Sequence, residues 1–171
     1  MALIGEWVID PYVGVGPLRF GMNATEVAAI MGPPEQILER TEPREDEREQ
    51  SRPVLNEYRK LGGTIEPVIE YVAGRVTLID FPKNTRNLLL DGEDLFKTKR
   101  QALIDHLIAR SDNVFETFEG FIFLDFGLSL CSAENFRSEP NIGLFARGTS
   151  DANIRFMLAE DLGEFVKGEF V

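Results

Sequence analysis

The side chains best suited to acid–base, nucleophilic or metal chemistry in this 171-residue chain are one histidine, His106, one cysteine, Cys131, and carboxylates at strand spacing. His106 falls three positions after Leu103 and four after Ala102, at the edge of an apolar helical face, and reads as a boundary residue rather than a base. With no neighbouring cysteine or second histidine it cannot begin a zinc set. Cys131 has no other thiol to join, so it forms no internal disulfide, agrees with a reducing compartment, and reads as a small buried or half-buried apolar side chain. Glu66 and Glu70 share one side of a regular strand, and paired carboxylates can hydrolyse glycosides. Among 29 acidic residues, however, such pairs arise from composition alone. Gly16 and Gly21 do not have the spacing of a phosphate or dinucleotide loop and serve backbone geometry. The expectation is a protein that is not an enzyme, with no catalytic, cofactor-binding or metal-binding residues.

Binding is better supported by the residues than catalysis. Twenty-nine acids against eighteen bases give a net charge of −11, which repels nucleic acid and anionic lipid and favours a basic protein partner. Two stretches concentrate that acid. The first is the polar segment from Glu39 to Arg52, which carries Glu42, Glu45, Asp46, Glu47 and Glu49. Arg40, Arg44, Arg48 and Arg52 recur there every fourth residue, but Pro43 and the lack of any apolar face leave a helix nothing to pack on. A solvated, mobile insertion is expected. The second stretch holds Phe115, Phe118, Phe121, Phe123 and Phe126 interleaved with Glu116, Glu119 and Asp125. Most of these rings belong in a core; one or two left exposed would form an aromatic patch rimmed by acid, a surface suited to a protein partner.

The elements that must position these groups follow from local pattern. Asn23 and Glu26 form a capping box, Met22 and Val27 stand at hydrophobic-staple spacing, and Gly32 with Pro33 and Pro34 stops the helix after about two turns. Before it, Trp7 to Val13 reads as extended, with Pro11 arguing against a central strand. After it, strands are expected over Leu55–Leu61, Val68–Val72 and Arg75–Phe81, the last two joined at Ala73-Gly74. A second cycle begins at Leu88–Leu90 and turns at Asp91-Gly92. It continues in a helix opened by a Thr98/Gln101 capping box, with Ala102, Leu103, Ile104, Leu107 and Ile108 on one face. Strands follow over Asn113–Phe118 and Phe121–Phe126, joined by Glu119-Gly120; Gly127–Ser132 continues or bends the second, and Asn141–Arg147 supplies another. From Ser150 onward the pattern fits either element, and a strand followed by a short irregular or helical tail is expected. The order predicts an α+β fold in which antiparallel sheet is packed by short helices. It is one compact domain over 1–171 that can be divided into two similar halves, 1–82 and 83–171, each a helix followed by antiparallel strands.

The string Gly14-Val15-Gly16-Pro17-Leu18-Arg19-Phe20-Gly21-Met22-Asn23-Ala24-Thr25-Glu26-Val27, continued by Met31-Gly32-Pro33-Pro34, resembles the N-terminal pattern of small bacterial immunity-type proteins that accompany polymorphic or contact-dependent toxins. A looser form of the same unit is similar to that of β-lactamase inhibitor proteins and of small outer-membrane assembly lipoproteins. The resemblance covers residues 14–34 and, more loosely, Leu90 to Phe96; it implies helices packed on antiparallel sheet and carries over no functional residues. It implies a cytoplasmic immunity protein that neutralises a basic toxin domain, encoded next to it, by occlusion. No run of about eighteen apolar residues and no basic, apolar leader is present, so neither a membrane span nor a signal peptide is expected. The competing reading is a small ligand-binding or regulatory domain whose sheet encloses an apolar pocket, without a dedicated protein partner.

Overall fold

The computed structural model describes residues 5–42, 52–61, 64–65, 67–83, 85–131 and 141–170. Its fold is α+β and is dominated by antiparallel sheet. The chain opens with β1 (Trp7–Asp10), β2 (Gly14–Val15) and β3 (Leu18–Arg19), then α1 (Ala24–Met31). Next come β4 (Gln36–Glu42), β5 (Arg52–Tyr58), the small β6 (Lys60–Leu61) and β7 (Thr64–Ile65) pair, β8 (Val68–Val72) and β9 (Arg75–Pro82). The second part holds β10 (Leu88–Leu90), β11 (Glu93–Asp94), α2 (Arg100–Arg110), β12 (Val114–Thr117), β13 (Gly120–Phe123), β14 (Leu128–Cys131), β15 (Asn141–Phe145), α3 (Asp151–Ala159) and β16 (Gly163–Lys167).

One nine-stranded sheet, in the order β16-β12-β13-β14-β15-β9-β8-β5-β4, carries the architecture. The strands that follow α1 run inward from the β4 edge, and those that follow α2 run inward towards β15. The two runs meet where β15 pairs antiparallel with β9 in the register Gly143↔Asp80. A five-stranded sheet, β11-β10-β1-β2-β3, is tied to the large one by Trp7, whose ring meets Phe81 edge-on at 5.2 Å. The main core contains Val27 and Met31 from α1, Leu103, Ile104 and Leu107 from α2, and Ile69, Tyr71, Ile79, Phe81, Phe123, Leu130 and Ile142 from the large sheet. Phe115, Ile122 and Phe145 point to the opposite face, where Ile154 and Met157 of α3 cover them as a second cluster.

Local chemistry explains most boundaries. At α1 the Asn23 side chain accepts from the Glu26 amide at 2.9 Å and Glu26 accepts from the Asn23 amide at 2.8 Å, completing the expected capping box. Gly32 ends the helix at φ 79° and ψ 177°, a region that a side chain would exclude. Ala73 and Gly74, and likewise Asp91 and Gly92, have positive φ as primed hairpin turns require. Pro11 does not keep β1 from the middle of its sheet, because the strand stops at Asp10, one residue earlier.

Three expectations are corrected. The stretch from Glu39 to Glu42 is not an unstructured insertion: it completes β4, which pairs with β5 from Gln36↔Tyr58 to Glu42↔Arg52. An edge strand tolerates this charge because one of its sides stays in water. The second helix has no capping box. Its N-cap is Lys99, and the Thr98 hydroxyl instead donates towards Glu93 at 3.2 Å and the Asp94 carbonyl at 3.3 Å. The C-terminal order is helix, then strand. Both sides of β15 are already occupied, by β14 and β9, so the segment after Gly148 has no ladder to join there. It buries Ile154 and Met157 at helical spacing as α3, and β16 then pairs with β12.

Candidate functional site

The hairpin of β12 and β13 packs its aromatics on both faces of the sheet. Phe115 is buried under α3, Phe123 is buried in the main core, and Phe121 is half-buried beside it. Phe118 stands in the hairpin turn and is 54 % exposed. That turn is held by the Thr117 hydroxyl, which accepts from the amides of Glu119 (3.0 Å) and Gly120 (3.2 Å). The Thr117↔Gly163 register brings the connection between α3 and β16 alongside the turn. A Cβ at Gly163 would lie 2.6 Å from the Phe115 ring and 2.7 Å from the Glu116 carbonyl, so only glycine allows this approach.

Glu116 and Glu164 occupy directly opposite positions on β12 and β16. Opposite residues in an antiparallel pair have Cβ atoms about 5 Å apart on one face, and like charges there are destabilising. Around them lie the exposed acids Glu119, Glu160 and Asp161. None of these five carboxylates forms an ion pair with the described residues. Among the cations of this part of the fold, Lys167 donates to the Ile108 carbonyl at 3.1 Å, Arg100 donates to the Cys131 carbonyl, and Arg155 stacks on Phe170 at 5.4 Å. Exposed Leu162 and Val166 add apolar surface. β16 is the terminal strand of the large sheet among the described residues, so this surface lies at a sheet edge.

Of the acids singled out from sequence, Glu116 and Glu119 therefore share one surface. Asp125 does not join them. It sits beyond the opposite end of β13, where its carboxylate accepts from the amides of Asp112 and Asn113, each at 2.8 Å, and from the Asn113 side chain. It is a structural clamp on the start of β12. Glu42 lies on β4, at the far end of the large sheet. Eight strand spacings separate the two edges, about 38 Å along the sheet. Glu45, Asp46, Glu47 and Glu49 lie outside the described residues, as does Glu66. Glu70 is paired with Arg40 at 3.0 Å. The β4 edge exposes Ile37 and Leu38 side by side.

A buried polar cluster lies outside the residues expected from the sequence. Glu57 and Arg59 face the core from the same side of the chain and pair at 2.7 Å. Tyr71 donates to Glu57 at 2.8 Å, and Arg59 Nε donates to the Gly32 carbonyl at 3.0 Å, closing the C-terminus of α1. Burial, followed by the hydrogen bond to Glu57, pushes the Tyr71 hydroxyl well above its ordinary pKa. The available signal was a Glu-x-Arg spacing at the inward-facing positions of a strand. This arrangement locks the helix to the sheet.

The remaining titratable groups are also explained by structure. Burial raises Asp80 to about 6 against the opposing hydrogen bonds from Asn141 at 2.8 and 2.7 Å. Burial, reinforced by Glu119 and Asp80, raises the Cys131 thiol and disfavours the nucleophilic thiolate. His106 lies exposed on α2, 3.2 Å from Glu93. Among the described residues, no group of three or more His, Cys, Asp or Glu side chains is placed to hold a metal ion. No described helix is long and apolar enough to cross a membrane.

No family model matches the chain, and neither a curated protein nor a solved structure is significantly similar to it.

Proposed function

We propose that this chain is an immunity-type protein that binds a basic toxin domain through the β12–β16 edge and neutralises it by occlusion. The observation that carries this reading is the pair Glu116 and Glu164, placed opposite one another without a cation beside an exposed aromatic. Folding alone gives no reason to align two like charges; a lysine or arginine from a partner would relieve them. Phe118, Leu162 and Val166 supply apolar contact, and the acids around them supply attraction for a basic surface and faster encounter. The resemblance of residues 14–34 to immunity-type proteins supports the same reading, and the motif's role is to build α1 and its caps. The chain acts as a non-enzymatic, cofactor-free protein ligand in the cytoplasm.

Co-expression with the product of the adjacent gene, followed by affinity capture and a growth assay, tests the reading. The expected result is a stable complex and rescue of growth, both lost when Phe118→Asp is combined with Glu116→Lys. A complex and rescue unaffected by that double substitution would contradict the assigned surface. No complex with the neighbouring product would contradict the immunity function.

A further inference from the structure

We propose that the cleft between the end of β9 and the β10–β11 hairpin binds a compact dianion attached to an apolar group, such as a phosphomonoester of an aromatic alcohol. The cleft has a volume of about 730 Å³ and is lined by Lys83, Thr85, Arg86, Asn87, Asp94, Phe96 and Lys97. Three cations thus face one cavity in a chain whose net charge is −11. Lys83 and Arg86 have no ion-pair partner among the described residues.

The one acid in the lining is committed to the backbone. Asp94 accepts from the Asn87 and Phe96 amides, each at 3.1 Å, and Lys97 stands 3.7 Å away. Those bonds disperse its charge and fix the cleft wall, so the cations retain a net attraction for an anion. Asn87 is held at φ 58° while its side chain donates to the Gly5 carbonyl at 2.9 Å. Phe96 packs partly on the main core and also lines the cleft, offering a ring for an apolar substituent. An oxygen-rich dianion suits two or three basic groups better than a monoanion does, and a cleft of this size accommodates a small molecule rather than a single ion.

The site is independent of the β12–β16 edge and can be tested without any toxin. Titration of isotope-labelled protein with phenyl phosphate, inorganic phosphate and benzoate at low salt, followed by backbone amide shifts, is the direct experiment. Saturable shifts centred on Thr85, Asn87, Phe96 and Lys97 are expected. Phenyl phosphate should bind tightest, and the double variant Lys83→Gln/Arg86→Gln should bind it at least tenfold more weakly. Both substituted side chains are exposed, so the double variant should keep the wild-type melting temperature and circular dichroism. Shifts that stay linear at millimolar ligand, scatter over other basic residues, or persist unchanged in the folded double variant would overturn the proposal. Equal affinity for phosphate and phenyl phosphate would overturn the role of Phe96.

Discussion

At the β4 end of the large sheet, Arg40 meets Glu70 and Glu57 meets Arg59, whereas at the β16 end Glu116 faces Glu164 with no ion-pair partner among the described residues. The difference separates two uses of charge. Near β4 these two pairs are compensated, and the deeper one joins helix to sheet, so its removal should be felt as lost stability. Near β16 two like charges stand opposite one another, an arrangement that costs stability, so under the proposed function their replacement should be felt in association.

The largest effect is expected at the buried pair. Replacing either Glu57 by Ala or Arg59 by Ala leaves the other charge stranded in the core and should cost about 3–5 kcal/mol in denaturant unfolding. Stability within about 1 kcal/mol of wild type would show that water reaches the pair and that the two ends are not so different.

Asp80 gives an intermediate effect, and its sign is opposite to that of most carboxylates. Its carboxyl is raised in the folded state from 3.8 to about 6, so the folded protein holds the proton more tightly than the unfolded chain. The resulting stabilisation is complete below pH 3.8 and disappears as pH rises through about 6. Asp80→Asn should therefore stabilise the protein at pH 8 by on the order of 2 kcal/mol and flatten this part of the pH profile. Unfolding curves at pH 4, 6 and 8 would reveal it; a destabilised variant at pH 8 would mean that the charged form makes favourable contacts.

The smallest stability effect belongs to the β16 edge. Glu164→Lys converts a repulsive cross-strand pair into an attractive one and should raise stability by about 0.5 kcal/mol. A loss of stability would show that the two glutamates do not repel in the folded chain.

How legible this was depended on the range of the interaction. The caps of α1 and the Ala73-Gly74 and Asp91-Gly92 turns were readable because each is decided within a few residues. The Thr98/Gln101 box failed because the helix begins one residue later, with Lys99 as its N-cap, and the Thr98 hydroxyl is directed at Glu93 and the Asp94 carbonyl, which only the β10–β11 hairpin brings near. The C-terminal segment was misread because the occupancy of both sides of β15 is a property of the whole sheet. Acid beside exposed aromatic was legible at Glu116, Phe118 and Glu119. Glu164 was not, because its position opposite Glu116 depends on strand pairing across a long separation, and neither was the diversion of Asp125 into backbone bonds.

The most direct measurement is the association rate of the proposed partner, the product of the adjacent gene, with wild-type protein, with Glu116→Lys/Glu164→Lys, and with Glu39→Lys on β4, each over a range of salt. The β16-edge variant should associate at least about tenfold more slowly, with a shallower salt dependence, while the β4 variant stays near wild type. Equal slowing by both variants, or slowing by Glu39→Lys alone, would contradict the assignment of the binding surface to the β16 edge.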